Sequence, residues 1–195
     1  MVPRKPREER INEITQAAID VFLEKGYENT TMDAIARRAG MSKGGLYHYF
    51  SSKDMVLISA NDKISEKVED LMKAALECDS VREGILYYIE NYICYWLEHP
   101  RETAFLFLSI AKILEKPELL TYYQEYTSDY RSFLEAIFTR GVEMGEFKPH
   151  PVRTSALTLM AALDGILSYM IFDNTLNLEE VLQDFEEKFI KPIEK

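Results

Sequence analysis

Apolar residues recur every three or four positions through almost the whole of this chain, and no stretch alternates with the two-residue period of a strand. Ile11, Ile14, Ala18, Val21 and Phe22 share one face of a first helix, as a 3.6-residue turn demands. Leu57, Ala60, Ile64, Val68, Leu71 and Ala75 line one side of a much longer one, where about 25 residues at 1.5 Å each reach ~37 Å. The pattern predicts an all-α protein of about nine helices. Only 8 Gly and 7 Pro in 195 residues leave too few turns for an all-β fold, and 47% hydrophobic content is too high for a disordered chain.

Punctuation sets the helix ends. Gly26 is placed to stop the first helix, and Thr30 with Asp33 has capping-box spacing for the second. Gly40 breaks that helix, and Ser42 is placed to cap a third of about eight residues, Lys43 to Phe50. Ser51-Ser52 precedes the long fourth helix, and Ser80 with Glu83 opens the fifth. Pro100, Pro117 and Pro151 mark the next three starts, where a missing N–H costs nothing. Asn177 with Glu180 opens the last.

Charge divides the chain near residue 53. The first 53 residues hold nine Lys/Arg against seven Asp/Glu; the remainder hold 14 against 26, so a net charge of −10 conceals a weakly positive head. Such a head tolerates phosphate while the body repels it. Residues 1–53 therefore read as one domain and 54–195 as another. Cys78 and Cys94 form no Cys-x-x-Cys pair and suit a reducing compartment. The polar start resembles no signal peptide. The longest apolar run, Ala156 to Phe172, is interrupted by Thr158, Asp164, Gly165 and Ser168, so no membrane span is expected. The expected location is cytoplasmic.

Residues 30–53 carry the chemistry. Two short helices around a glycine turn make a helix-turn-helix, whose second helix can enter a major groove. At 100° per residue, Lys43, Gly44, Tyr47 and His48 span an arc of roughly 140°. Leu46 and Phe50 fall outside it and face inward. Gly44-Gly45 costs about 1 kcal/mol per residue in a helix interior, which is reasonable where backbone must approach another surface. Ser42, Lys43 and the first free N–H groups suit a phosphate.

The run Thr30-Thr31 … Ile35-Ala36 … Ala39-Gly40-Met41-Ser42-Lys43-Gly44 … Leu46-Tyr47-His48-Tyr49-Phe50 … Lys53 resembles the DNA-binding head of the TetR (tetracycline-repressor-like) family. The resemblance covers residues 7–53, about a quarter of the chain. It implies that Thr31 touches phosphate, that Lys43 and Gly44 face base edges, and that Tyr47 and His48 meet phosphate or thymine methyls. It implies backbone contact by Tyr49 and a phosphate clamp at Lys53. Gly45 stands where the family usually has Thr or another small polar residue, so one contact is missing. Arg4, Lys5 and Arg7 form a basic arm suited to the minor groove. The resemblance further implies a homodimer through the last two helices, with recognition helices about 34–36 Å apart on a pseudo-palindromic double-stranded operator. A ligand that favours one placement of the fourth helix would release the DNA, typically through 1–3 kcal/mol of coupling.

Eighteen of the 23 aromatic residues follow residue 53. Most are ordinary core, but tyrosines keep a polar handle that plain core does not need. Tyr88, Tyr92, Trp96, Phe107, Tyr126, Tyr130, Met160 and Asp164 are the candidate ligand residues. An acid among aromatic rings suits a neutral or cationic hydrophobic effector. The rival reading is a constitutive DNA-binding regulator whose body only dimerises. Catalysis is not expected: His48, His99 and His150 have no metal-ligand spacing, and Ser109-x-x-Lys112 lacks companion motifs. No cofactor and no metal is expected.

Overall fold

The computed structural model describes residues 6–173 and 175–195. Among them are nine α-helices: α1 (Arg7–Asn29), α2 (Met32–Arg38), α3 (Lys43–Tyr47), α4 (Lys53–Leu76), α5 (Val81–Glu98), α6 (Pro100–Glu115), α7 (Pro117–Glu143), α8 (Val152–Phe172) and α9 (Leu178–Phe185). A π-helical turn, Glu186–Ile190, extends α9. The fold is all-α, and the one extended pairing among the described residues is an isolated bridge between Phe147 and Glu194.

Several starts are capped as the sequence suggests. Ser80 Oγ accepts from the Glu83 N–H at 3.1 Å, Ser52 Oγ from Met55 at 3.2 Å, and Asn177 Oδ1 from Glu179 at 2.8 Å. Others differ. The cap of α2 is Thr31, whose Oγ1 accepts from the Ala34 N–H at 3.1 Å. Thr30 is instead buried, and its hydroxyl donates to the Gly26 carbonyl at 2.7 Å. An earlier carbonyl acceptor wins it away from the helix start. The third helix is regular only over Lys43–Tyr47. One further turn follows, with Tyr49 and Phe50 N–H groups on the Leu46 carbonyl at 2.9 and 3.0 Å. The helix expected to start at Pro151 forms over Val152–Phe172, with Thr158, Asp164, Gly165 and Ser168 within it. α8 is continuous and is the one described helix long and apolar enough to cross a membrane by length and composition. A helix tolerates Thr, Ser and Gly without breaking.

By internal contacts the chain divides into two units. The first runs up to Lys67 and includes Pro100–Thr121; the second comprises Val68–His99 and Tyr122–Lys195. In the first, Ile14, Ala18 and Phe22 of α1 are fully buried, with Ile35 of α2 and Leu46 of α3. Phe105 of α6 meets Phe22 at a ring separation of 5.9 Å. Gly40, at φ 62°, makes the turn between α2 and α3 in a backbone region that L side chains avoid.

In the second unit Ile85, Tyr88, Ile89 and Ile93 of α5 are buried with Leu134, Ile137 and Phe138 of α7 and Leu159 and Leu163 of α8. The end of α4 lies so close to α5 that a Cβ at Gly84 would stand 2.3 Å from the Ala75 carbonyl oxygen. The Glu146 carboxylate caps α5, accepting from the Val81 and Arg82 N–H groups at 3.0 Å each. Arg82 pairs with Glu186 and, at 3.0 Å, with Glu194, which ties down the carboxyl-terminal turn.

Candidate functional site

The helix-turn-helix buries Ile35, Ala36, Leu46 and Phe50 and leaves Thr31, Ser42, Lys43, Gly44, Tyr47 and His48 exposed. Tyr47 is 48% exposed, and the His48 ring stands edge-on to half-buried Tyr49 at 5.6 Å. Ser42 Oγ accepts from the Gly45 N–H at 3.1 Å, capping α3. Thr31 and Ser42 thus use a lone pair inward and keep a hydroxyl proton to give outward.

The basic residues differ in availability. Arg37 pairs with Asp33 at 3.4 Å, and Arg38 with Glu24 at 2.5 Å and Asp20 at 3.5 Å. Lys43 has no ion pair among the described residues, so on α2 and α3 it is the cation with an uncommitted charge. A Cβ at Gly44 would meet nothing within 4 Å, and one at Gly45 would meet Ser42 Oγ at 3.2 Å and Met41 Cε at 3.4 Å. Internal packing therefore does not demand glycine at 44. The basic arm at Arg4 and Lys5 lies outside the described residues.

Lys53 is placed differently from its expected neighbours. Its ammonium donates to the Tyr27 and Thr30 carbonyls at 2.6 and 3.0 Å, and lies 4.1 Å from the Tyr27 ring centroid. Burial lowers its pKa. Next to it, Asp54 accepts from Tyr27 Oη and from Lys116 Nζ, the latter at 2.7 and 3.0 Å to its two oxygens. Burial alone would raise the Asp54 carboxyl; the Lys116 and Tyr27 hydrogen bonds outweigh it and hold the pKa below the ordinary value. The bond to Asp54 first, and then that to Tyr27, raises Lys116 well above a free lysine. Sequence reasoning missed Tyr27, Asp54 and Lys116, and no local spacing signals them.

In the second unit, five of the expected ligand residues converge. Tyr88 and Tyr92 rings are 5.6 Å apart, Tyr92 and Tyr130 6.0 Å, and Tyr92 and Trp96 6.2 Å, all nearly fully buried. Tyr92 Oη donates to Asp164 Oδ1 at 3.0 Å. Asp164 keeps one exposed face, yet burial around its carboxyl raises the pKa against the pull of the Tyr92 bond. No cation among the described residues acts on it. The Tyr88 and Tyr130 hydroxyls are enclosed and have no partner in hydrogen-bonding geometry, although each lies near enough to influence the other's ionisation. Tyr126 stands beside Tyr123 at 6.2 Å, and Met160 is half-buried on α8. Phe107 belongs to the first unit and is 43% exposed.

Apolar side chains are exposed singly at Met55, Leu76, Leu114 and Met144, and in greater number on α8. Tyr169 is 68% and Phe172 84% exposed. A groove of about 390 Å³ is lined by Ile166, Tyr169, Val181, Phe185 and Phe189, among others.

Residues 14–60 match the family model of bacterial regulatory proteins, tetR family. The uncharacterized HTH-type transcriptional regulator YfiR of Bacillus subtilis is 28% identical over 175 residues, which cover 88% of this chain and 84% of that protein. The fold is shared with a TetR transcription regulator from Haloarcula marismortui (TM-score 0.82, 19% identity, 96% and 100% of the two chains). It is shared as well with the transcriptional regulator FadR from Bacillus subtilis in complex with stearoyl-CoA (TM-score 0.75, 24% identity, 93% and 98%). With a helix-turn-helix that turns its polar face to solvent and a family model seated on that segment, residues 14–60 form a DNA-binding head of the tetR family of bacterial regulatory proteins, and the chain is similar to HTH-type transcriptional regulators over most of its length.

Proposed function

We propose that this chain is a ligand-released repressor that binds a pseudo-palindromic operator as a homodimer in the cytoplasm. Residues 1–53 read the DNA, and 54–195 dimerise and hold the effector. The observation that carries the reading is the exposed face of α3, with an unpaired Lys43 beside an open Gly44 and exposed Tyr47 and His48. Lys43 and Gly44 face base edges; Thr31, Ser42, Tyr47, His48 and Tyr49 contact the backbone or thymine methyls. Lys53, already spent on two carbonyls, seats α4 and adds positive potential near phosphate. The test uses a duplex selected by the protein from a randomised pool. Lys43→Ala should change the preferred bases at particular positions, by about 1–3 kcal/mol each. An equal loss on selected and random duplexes would overturn specific readout.

The apolar groove of α8 and α9 supports self-association, since exposed contiguous apolar surface of this kind marks interaction sites. Ile166→Asp should convert a dimer to a monomer in sedimentation. A monomeric parent protein would overturn the dimer.

For the effector, Tyr88, Tyr92, Trp96, Tyr130 and Asp164 support a neutral or cationic hydrophobic molecule. The rings supply π faces, and the carboxylate has no cation partner among the described residues. FadR's complex with stearoyl-CoA makes that acyl thioester the competitor to test beside a hydrophobic amine. Release of the selected duplex by the amine supports the reading. Release by stearoyl-CoA alone replaces it with an acyl effector, and release by neither favours a constitutive regulator.

A further inference from the structure

The cluster around Tyr27 stands apart from the exposed face of α3, and the family motif does not include its outermost member, Lys116. We infer that Lys116 is a positioning residue for DNA binding: by holding Asp54 and Tyr27 together it fixes the first turn of α4 to the end of α1, and so sets the segment from which α2 begins.

The geometry is closed. Lys116 Nζ donates to both Asp54 oxygens at 2.7 and 3.0 Å and lies 2.9 Å from Tyr27 Oη, while the Tyr27 hydroxyl donates to Asp54. Lys53, one residue before Asp54, donates to the Tyr27 and Thr30 carbonyls. Lys112 pairs with Glu28. The three ammonium groups lie 4.1, 5.1 and 5.0 Å from the Tyr27 ring centroid, held against mutual repulsion by Asp54 and Glu28. A cation over a tyrosine face is itself attracted.

The position of this node gives it consequence. The Thr30 carbonyl gripped by Lys53 immediately precedes Thr31, whose hydroxyl caps α2. Two adjacent residues of α4 therefore hold the two ends of a four-residue link leading into the helix-turn-helix. Lys116 closes the grip from the junction between α6 and α7, where Pro117 opens α7. Without it, Asp54 loses its strongest partner and Tyr27 loses one of two. The link then samples more conformations, and DNA binding must order it. Lys116 need not touch DNA for this to matter, and so it carries none of the salt dependence of a phosphate contact.

The experiment compares Lys116→Met and Lys116→Arg with the parent protein on the selected duplex and on a random one, across a salt series, with thermal unfolding recorded alongside. Lys116→Met should weaken both duplexes by the same factor, roughly tenfold, about one charge-assisted hydrogen bond. It should leave the slope of log affinity against log salt unchanged. Lys116→Arg, which keeps charge and donors, should restore most of the affinity. Asp54→Asn should lose as much as Lys116→Met, and the double variant little more than either alone. The inference is overturned by parent-like affinity or tighter binding in Lys116→Met, by a salt slope reduced by one contact, or by additive losses in the double variant. If Lys116→Met does not fold, Asp54→Asn against Lys116→Arg decides by the same criteria. Failure of the parent protein to select any duplex counts against operator binding itself, independently of Lys116.

Discussion

The molecule contains two polar clusters built around tyrosine, one in each unit, and they are opposites. Around Tyr27 the groups satisfy one another: Asp54 faces Lys116 and a tyrosine hydroxyl, and Lys53 caps two carbonyls. Around Tyr92 they do not. Among the described residues Asp164 has Tyr92 as its hydrogen-bond partner and no cation, and the enclosed Tyr88 and Tyr130 hydroxyls have only each other nearby, outside good hydrogen-bonding geometry. An enclosed hydroxyl without a partner costs about 1–3 kcal/mol. The first cluster is a finished joint. The second is unfinished.

Substitutions that break or sharpen this contrast fall in order of size. Gly84→Ala breaks the frame of the unfinished cluster, because its Cβ would enter the Ala75 carbonyl. Overpacking against backbone should cost about 3 kcal/mol, read as a large drop in denaturant midpoint. Tyr27→Phe removes a bond from the finished joint and leaves Asp54 and Lys116 one partner short. It should destabilise by about 1–2 kcal/mol. Tyr88→Phe should do much less, changing stability by no more than about 1 kcal/mol, because the enclosed hydroxyl it deletes has only the nearby Tyr130 hydroxyl beside it. Destabilisation by Tyr88→Phe equal to that of Tyr27→Phe would erase the distinction.

The smallest effect is one of pH, and its sign differs between the clusters. The Asp54 pKa is held below its ordinary value, so its contribution is present above that value and is lost as pH falls through the folded pKa. The Asp164 pKa is raised, so the native state holds its proton longer than the unfolded chain does. Its ionisation subtracts stability as pH rises from the ordinary aspartate value through the raised one. In acid titrations of stability, Asp54→Asn should remove a loss on acidification and Asp164→Asn should remove a gain. Shifts of the same sign in both variants would contradict the contrast.

How much of this the sequence discloses depends on the distance between partners. Helix periodicity and the caps at Ser80 and Asn177 are local, and they are legible residue by residue. The exposed arc of Lys43, Gly44, Tyr47 and His48 follows from the same rotation per residue. Thr30 and Thr31 compete for one cap, and the Gly26 carbonyl, which takes the Thr30 hydroxyl, decides between them. The reason Lys53 turns inward is hidden, because its acceptors lie 23 and 26 residues earlier. Lys116 meets Asp54 from 62 residues away and Tyr27 from 89. Asp164 stands out as an acid in an apolar helix, but the partner that gives it meaning, Tyr92, is 72 residues distant.

The empty space beside Gly44 has an evolutionary consequence. A side chain gained there would project from α3 without disturbing a single interior neighbour. If α3 meets base edges as proposed, a single codon change at 44 alters the reading surface while leaving the architecture that presents it untouched.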